Sequence, residues 1–240
     1  MWINSLDCLS PPYYVKACVR TKRTLGPYPP TDLIIKPESR DRSYIRVANF
    51  SPETPEIDVY IGNRLLAKDL QFGELTIYIT VIPGKYKLTL TPPGDRDNPY
   101  FSSEITIEER SVISTIAVNL LDPDARLKVI DDDVYVLPNK IFIKFVNTVY
   151  DSPPLDFILN LNKLFSNVTY PMVTDFKLID MAYLYNLIIQ RADTNEVIFN
   201  IPNIVLEPGK VYTFYGIGLM EGDPPFEVVA SLDGSSYFLN

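Results

Sequence analysis

The chain has 240 residues, of which 46% are hydrophobic, 12% aromatic and 22% charged, enough to bury one large core or two ordinary ones and unlike a disordered segment. Its net charge of −8 has the wrong sign for gripping a phosphate backbone, so nucleic acid is not an expected partner. It contains no His, which removes the usual general base near neutral pH, the Ser-His and Cys-His nucleophile pairs and the commonest metal ligand.

Residues 1–40 are an extended arm. Pro11, Pro12, Pro27, Pro29, Pro30 and Pro37 forbid a continuous helix or a central strand there. Short extended pieces remain possible: Leu33–Ile35, and Tyr13–Val19 with Tyr13, Val15, Ala17 and Val19 on one face. Lys16, Arg20, Lys22, Arg23, Lys36 and Arg40 outweigh Asp7, Asp32 and Glu38, giving the arm +3 and leaving −11 for the rest of the chain. A basic, strand-capable arm on an acidic body suits docking, either folded back or onto a neighbour, whereas a solvated tail is the plainer reading. Trp2, Ile3, Leu6 and Leu9 make the arm more apolar than a solvated tail. Cys8 and Cys18, the only cysteines, cannot build a tetrahedral zinc site alone. They are read either as reduced thiols or as a crosslink within the arm or between subunits. The opening residues lack a basic region followed by an apolar stretch, and no window approaches the roughly 18 apolar residues of a membrane span, so neither a signal peptide nor a span is expected.

Beyond the arm, short β-branched and aromatic runs alternate with Pro, Gly, Asn and Asp clusters, as in β-sandwiches. Asp58–Ile61, Thr76–Ile82 and Tyr86–Leu90 have the length and patterning of strands, and Pro83-Gly84 supplies a tight turn. Residues 44–60 then recur at 142–158, with Asn49 meeting Asn147, Pro55 meeting Pro153 and Asp58 meeting Asp156. Ile105–Glu108 meets Ile204–Glu207, and Ser114–Leu120 meets Thr213–Leu219. The chain is therefore read as all-β: two tandem immunoglobulin-like β-sandwich modules, residues 41–137 and 138–240, preceded by the arm. Pro138-Asn139-Lys140, after Asp131-Asp132-Asp133, marks the junction. Phe176–Ile189 also fits a helix with apolar residues three and four apart, but its place in the repeat decides for strand, with Ala182-Tyr183 replacing the Pro-Gly turn.

Several polar groups invite a functional reading. Asp58 and Asp156 recur in register inside apolar runs, where a salt bridge, ligand or metal contact competes with an outward strand position or a cap for a neighbouring turn. Asn49 and Asn147 precede turn-like segments, and side-chain bonds to nearby backbone are expected of them. Asp95-Arg96-Asp97, Asp122-Pro123-Asp124 and Asp131-Asp132-Asp133 lack the twelve-residue calcium-loop pattern and read as solvated loops. Glu53, Glu56 and Asp58 make only a weak carboxylate pair for glycoside hydrolysis. No phosphate-cradling glycine loop or nucleophile elbow occurs, and the sequons Asn49-Phe50-Ser51 and Asn167-Val168-Thr169 are uninformative. No catalytic, cofactor-binding or metal-ligating residue is assigned, and no cofactor is expected.

Val47–Tyr60 (VANFSPETPEIDVY) resembles the core of the bacterial domain of unknown function 4397 family, written around His-Ala-Ser-Pro-Asp-Ala-Pro-x-Val-Asp-Val-Tyr, and Val146–Phe157 is a weaker copy. The family's Leu-Pro-Ala-Gly-Thr-Tyr turn is echoed by Val81–Tyr86, and its Leu-x-x-Gly-x-x-Tyr-Thr strand entry by Leu206–Thr213. Both copies depart from it at the His, which is Asn49 and Asn147 here, and the second also at Ser-Pro, which is Val149-Tyr150. The resemblance spans about residues 44–235 and implies a tandem β-sandwich in a bacterial, often surface or envelope, context, with no activity attached.

The expected function is that of a non-catalytic structural subunit of a cell-surface or spore-surface assembly. Self-association would run through Cys8, Cys18, Tyr13, Val15, Ala17 and Val19 by crosslinks or strand addition. The alternative is a carbohydrate or cell-wall binding module that stacks glycans on exposed members of its 16 Tyr and 12 Phe.

Overall fold

A computed structural model describes residues 21–22, 42–122, 125–133, 136–182, 184–234 and 236. The predicted arm strips Tyr13–Val19 and Leu33–Ile35, with Cys8 and Cys18, lie outside these residues. The chain divides after Asp133 into two compact units.

The first unit contains β1 (Thr21–Lys22), β2 (Ser43–Asn49), β3 (Glu56–Ile61), β4 (Arg64–Gln71), β5 (Glu74–Thr76), β6 (Ile79–Val81), β7 (Gly84–Thr91), β8 (Phe101–Ile107), β9 (Val112–Val118) and β10 (Arg126–Asp131). One sheet has the order β1-β5-β2-β9-β10, with β6 also on β2, and the other has the order β4-β3-β7-β8. The second unit contains β11 (Lys140–Asn147), β12 (Leu155–Leu159), β13 (Asn162–Val168), β14 (Lys177–Asp180), β15 (Tyr185–Arg191), β16 (Val197–Ile204), β17 (Val211–Ile217) and β18 (Glu227–Leu232). Its sheets are β14-β11-β17-β18 and β13-β12-β15-β16, the same strand order as in the first unit.

The repeat in the sequence is thus a repeat of topology. In both units the first long strand runs parallel to the penultimate one, through Tyr44↔Val112 to Asn49↔Ala117 and through Phe142↔Val211 to Asn147↔Gly216. These central strands are covered on both faces: β9 and β17 are buried at all seven positions, and both read as near-continuous apolar runs rather than alternating ones. The segment for which helix and strand competed forms β14 and β15.

Two sequence expectations change in detail. Thr76–Ile82 is not one strand, because β5 pairs with the end of β2 and β6 with its beginning, and the chain breaks at Ile77-Tyr78 between them. The break lets the Tyr78 hydroxyl donate to a buried carboxylate of Asp132 at 2.7 Å. The two turns before β7 and β15 are both closed by tyrosine, despite their different sequences. Tyr86 Oη donates to the Ile82 carbonyl at 2.7 Å, and Tyr185 Oη donates to the Asp180 carbonyl at 2.9 Å while accepting from Ala182 N at 2.8 Å.

The two cores are built differently. The first is aliphatic, with Ile45, Val47, Ile57, Val59, Leu70, Leu88, Leu90 and Ile107 between the sheets. The second is aromatic around Phe157, whose ring lies 5.3 Å from Phe145, 5.7 Å from Phe165 and 5.3 Å from Phe214, at tilted or edge-on angles that favour aromatic pairs. Phe157 is fully buried and has Val59 as its counterpart. Replacing Phe157 by Ala removes about 3–5 kcal/mol from the second unit. In equilibrium denaturation this shifts the transition of that unit and leaves that of the first in place.

The hairpin β12–β13 turns through Asn160-Leu161, both at positive φ (48° and 67°), and Leu161 is 90% exposed. A two-residue turn of this kind favours Asn-Gly, so Leu161→Gly stabilises the second unit by about 1 kcal/mol, read as a rise in its denaturation midpoint.

Candidate functional site

The repeated polar residues carry the strongest signal in the sequence. Asn49 and Asn147 end β2 and β11 and are fully buried. Asn49 Nδ2 donates to the carbonyls of Thr54 (2.9 Å) and Leu70 (3.2 Å), while its Oδ1 accepts from Ser51 N at 3.3 Å. Asn147 Nδ2 donates to Ser152 Oγ (2.8 Å) and the Val168 carbonyl (3.0 Å), and its Oδ1 accepts from Val149 N at 3.1 Å. Each amide ties a local turn, as expected, and also reaches the last residues of β4 or β13 in the opposite sheet.

Asp58 and Asp156 are not at outward positions: they are 2% and 1% exposed. Each faces a β-bulge, where Lys68 and Asp69 oppose Asp58, and Ser166 and Asn167 oppose Asp156. The bulged residues Asp69 and Asn167 are left-handed (φ 48° and 54°), and their amides leave the ladder. The carboxylates receive them: Asp69 N donates to Asp58 Oδ1 at 2.8 Å, and Asn167 N to Asp156 Oδ1 at 3.0 Å. The second oxygen of Asp58 accepts from Gly94 N at 2.9 Å, and that of Asp156 lies 2.5 Å from Lys163 Nζ and 3.3 Å from Gln190 Nε2. The capping expectation holds in kind, with a bulge in place of a turn.

Burial alone would raise the Asp156 carboxyl. The bonds from Lys163, Asn167 N and Gln190, with the Lys163 charge, outweigh burial and hold the carboxyl below its ordinary value of 3.8. A depressed native value adds stability that is complete above about 3.8 and is lost as pH falls through the folded value. Asp156→Asn therefore costs the second unit about 1–3 kcal/mol at neutral pH and flattens its acid-side loss of stability, as pH-dependent denaturation will show.

A third repeated group was not singled out in the sequence. Arg46 is 1% exposed on β2. Its Nε donates to Ser114 Oγ at 2.6 Å, its Nη2 lies 3.7 Å from Asp132 Oδ2, and its guanidinium sits 4.5 Å from the Tyr78 ring centroid. Ser114 Oγ donates to the same Asp132 oxygen. In the second unit the corresponding positions are Lys144, Phe176, Thr213 and Asp233. Lys144 Nζ lies 3.9 Å from the Phe176 ring centroid, Thr213 Oγ1 donates to Asp233, and Ser231 Oγ donates to Asp233 at 2.7 Å. The expectation that Asp131-Asp132-Asp133 is a solvated loop is corrected here: Asp131 closes β10, and Asp132 is fully buried beside Arg46. The usable sequence signal was a basic residue at the same place in both copies of an apolar strand.

The other acidic groups are tied up locally. Asp95 Oδ1 accepts from the amides of Asp97 and Asn98, both at 3.2 Å, and Asn98 Nδ2 donates to Asp95 Oδ2 at 2.9 Å. The Asn98 bonds hold this carboxyl below its ordinary value. Ser51 Oγ donates to Glu53 at 3.0 Å, and Glu56 lies 3.5 Å from Gln71 Nε2, while Asp58 is buried facing its bulge. Tyr212, whose hydroxyl accepts from Glu207 N at 3.0 Å, is pushed up to about 12 by burial. Among the described residues, no three His, Cys, Asp or Glu side chains are grouped to hold a metal ion.

The described residues also form shallow clefts. One, of about 450 Å³, is lined by Gly62, Asn63, Lys87, Thr89, Arg96 and Asp97. Arg96 crosses it, donating to Gly62 O (3.2 Å) and Asn63 Oδ1 (3.0 Å), with its guanidinium 4.7 Å from the Tyr60 ring centroid. Another, of about 470 Å³, is lined by Asp151, Ser152, Pro153, Arg191, Met220 and Glu221, and the Asp151 carboxylate accepts from the amides of Met220 and Glu221.

The arm enters the described structure at β1. Thr21 and Lys22 pair in parallel with Leu75 and Thr76, adding a strand to the outer side of β5. Periodicity marks no strand at these two residues. The six residues singled out for subunit linkage, Cys8, Tyr13, Val15, Ala17, Cys18 and Val19, lie outside the described residues.

Residues 43–148 match the family model described as Domain of unknown function (DUF4397). The match starts with β2 and runs through β11. No curated protein matches the chain. Among solved structures, the Bacillus anthracis TIE protein is 14% identical over 72% of this chain, with a TM-score of 0.24, and the chain spans only 33% of that protein. A streptococcal virulence factor that binds alpha-glucan is 10% identical, covering 65% of this chain and 83% of its own, with a TM-score of 0.22. The fimbrial anchor protein Mfa2 of Porphyromonas gingivalis is 9% identical, covering 80% and 97%, with a TM-score of 0.22. Likeness at this level does not extend to function. Among the described residues, no helix is long and apolar enough to cross a membrane.

Proposed function

We propose that the protein is a non-catalytic structural subunit of a bacterial cell-surface or spore-surface assembly, a filament, appendage or coat, in which residues 1–40 link neighbouring subunits. The observation that carries this reading is the pairing of Thr21 and Lys22 with β5: an arm segment acts as an added strand on the edge of a sandwich sheet. Cys18 lies three residues before that pairing and Cys8 ten residues earlier still, so thiols on the same arm reinforce such a linkage as disulfides. The repeated polar side chains support a structural role, since Asn49, Asn147, Asp58 and Asp156 bond to the backbone and side chains of their own modules. A +3 arm against a −11 body supplies the long-range attraction.

A second reading, a glycan-binding module, rests on the cleft of Asn63, Lys87, Thr89, Arg96 and Asp97, whose donors and acceptors suit sugar hydroxyls. Retention on a soluble polysaccharide that Arg96→Ala abolishes would favour it.

Native mass distinguishes the two readings. The full chain forms large species that deletion of residues 1–40 reduces to folded monomers, and reductant sensitivity reports the contribution of Cys8 and Cys18. Assembly that persists without the arm would defeat the reading.

A further inference from the structure

The arm's pairing with the first unit points to a matching site on the second, because the two units share one topology. The strand that receives β1 is β5, held against β2 through Ala48↔Leu75 and by Thr76 Oγ1, which accepts from Val47 N at 3.0 Å. Its counterpart is Met172–Thr174. Thr174 Oγ1 accepts from Phe145 N at 3.0 Å, and Val173 bridges to Val146 as Leu75 pairs with Ala48. Thr174 N donates to the Phe145 carbonyl at 3.0 Å, and the Met172 carbonyl accepts from Asn147 N at 3.1 Å. Alternation along an extended segment therefore turns the Val173 N–H and C=O away from β11, as Leu75 presents its own to Thr21 and Lys22. Among the described residues, no strand pairs with Val173 on that outer side.

The side chains around this edge fit an incoming strand. Met172, Leu178 and Met181 are 44%, 46% and 62% exposed in the single chain, an apolar fringe beside an unpaired sheet edge. Asp175 and Asp180 flank it, with Lys177 between them and Asp180 paired to Lys140. The first unit has only Ile82 comparably exposed at the corresponding turn.

We propose that the outer edge of Met172–Thr174, extended along β14, accepts the basic N-terminal arm of a second copy of this chain as an added parallel strand. The inference rests on the arm-linkage reading above and names its acceptor. A second copy is the occupant because this edge matches the one that β1 takes on β5 in the first unit, and because the arm's net +3 charge meets a body of net −11. Parallel addition follows from the β1–β5 orientation, and the arm's Tyr13, Val15, Ala17 and Val19 would lie against Met172, Leu178 and Met181.

The test uses the full chain in sedimentation velocity and native mass spectrometry over a range of concentrations. Val173→Pro removes an outward N–H, and the double variant Leu178→Lys, Met181→Lys changes only exposed side chains, so the second variant stands if the first fails to fold. Each is expected to weaken self-association about tenfold or more, the first by removing a main-chain hydrogen bond and the second by placing charge on the apolar fringe. A peptide of residues 1–22 added in excess is expected to lower the assembly mass of the unaltered chain and to have no effect on the double variant. If the full chain assembles and both variants assemble equally well, with the peptide inert, the acceptor site is overturned while the arm-linkage reading stands. A full chain that is monomeric at every concentration, its own arm docked or not, overturns both.

Discussion

Each module depends on one long-range contact, the parallel pairing of its first long strand with its penultimate one. β2 meets β9, and β11 meets β17, across loops of almost seventy residues, and no local turn can hold them there. The pairing puts a strand from the start of each module at the middle of a sheet, with later strands on both sides, so everything between must fold around it. Burial on both faces is what makes this worthwhile: Ile45 and Val47, or Ile143 and Phe145, face the sandwich core, while Arg46 or Lys144 occupies the opposite face.

That opposite face explains a charged residue in an otherwise apolar strand. Arg46 ties β2 to Ser114 of β9 and to Asp132 just past β10, linking three neighbouring strands by a buried ion pair. Removing one member of such a pair is costly, because the other is left charged and buried. The second module answers with Lys144 over Phe176 and with Thr213 and Ser231 on Asp233. The chemistry differs, but the position and sign of the charge are kept. The Asp58 and Asp156 bulge caps and the Asn49 and Asn147 latches do comparable work between strands. The most insistent polar signals in the sequence are thus those of a scaffold, and they turn attention to edges and to the arm.

The repeat, the strand content and the two-sandwich organisation were legible in the sequence, because β-branched runs punctuated by Pro, Gly and Asn recur at a fixed spacing. The bonding of Asn49 and Asn147 was legible in kind. Strand order was not, since a period-two pattern says that a segment is extended and nothing about which distant segment lies beside it. The outward placement considered for Asp58 and Asp156 failed because a bulge, invisible to periodicity, brings a stray amide to a buried carboxylate. Arg46 escaped notice because its partner Asp132 sits in a run of three acids that looks solvated. Thr21 and Lys22 carry no strand pattern at all, and only an available sheet edge makes them one.

The parallel pair is the last part of each module to come apart. Native-state hydrogen exchange tests it most directly. Amides of β2 and β9, and of β11 and β17, are expected to exchange last and together, through opening of the whole module. Slower exchange in the β3–β7 or β12–β15 pairs, with the parallel pairs already open, would contradict it.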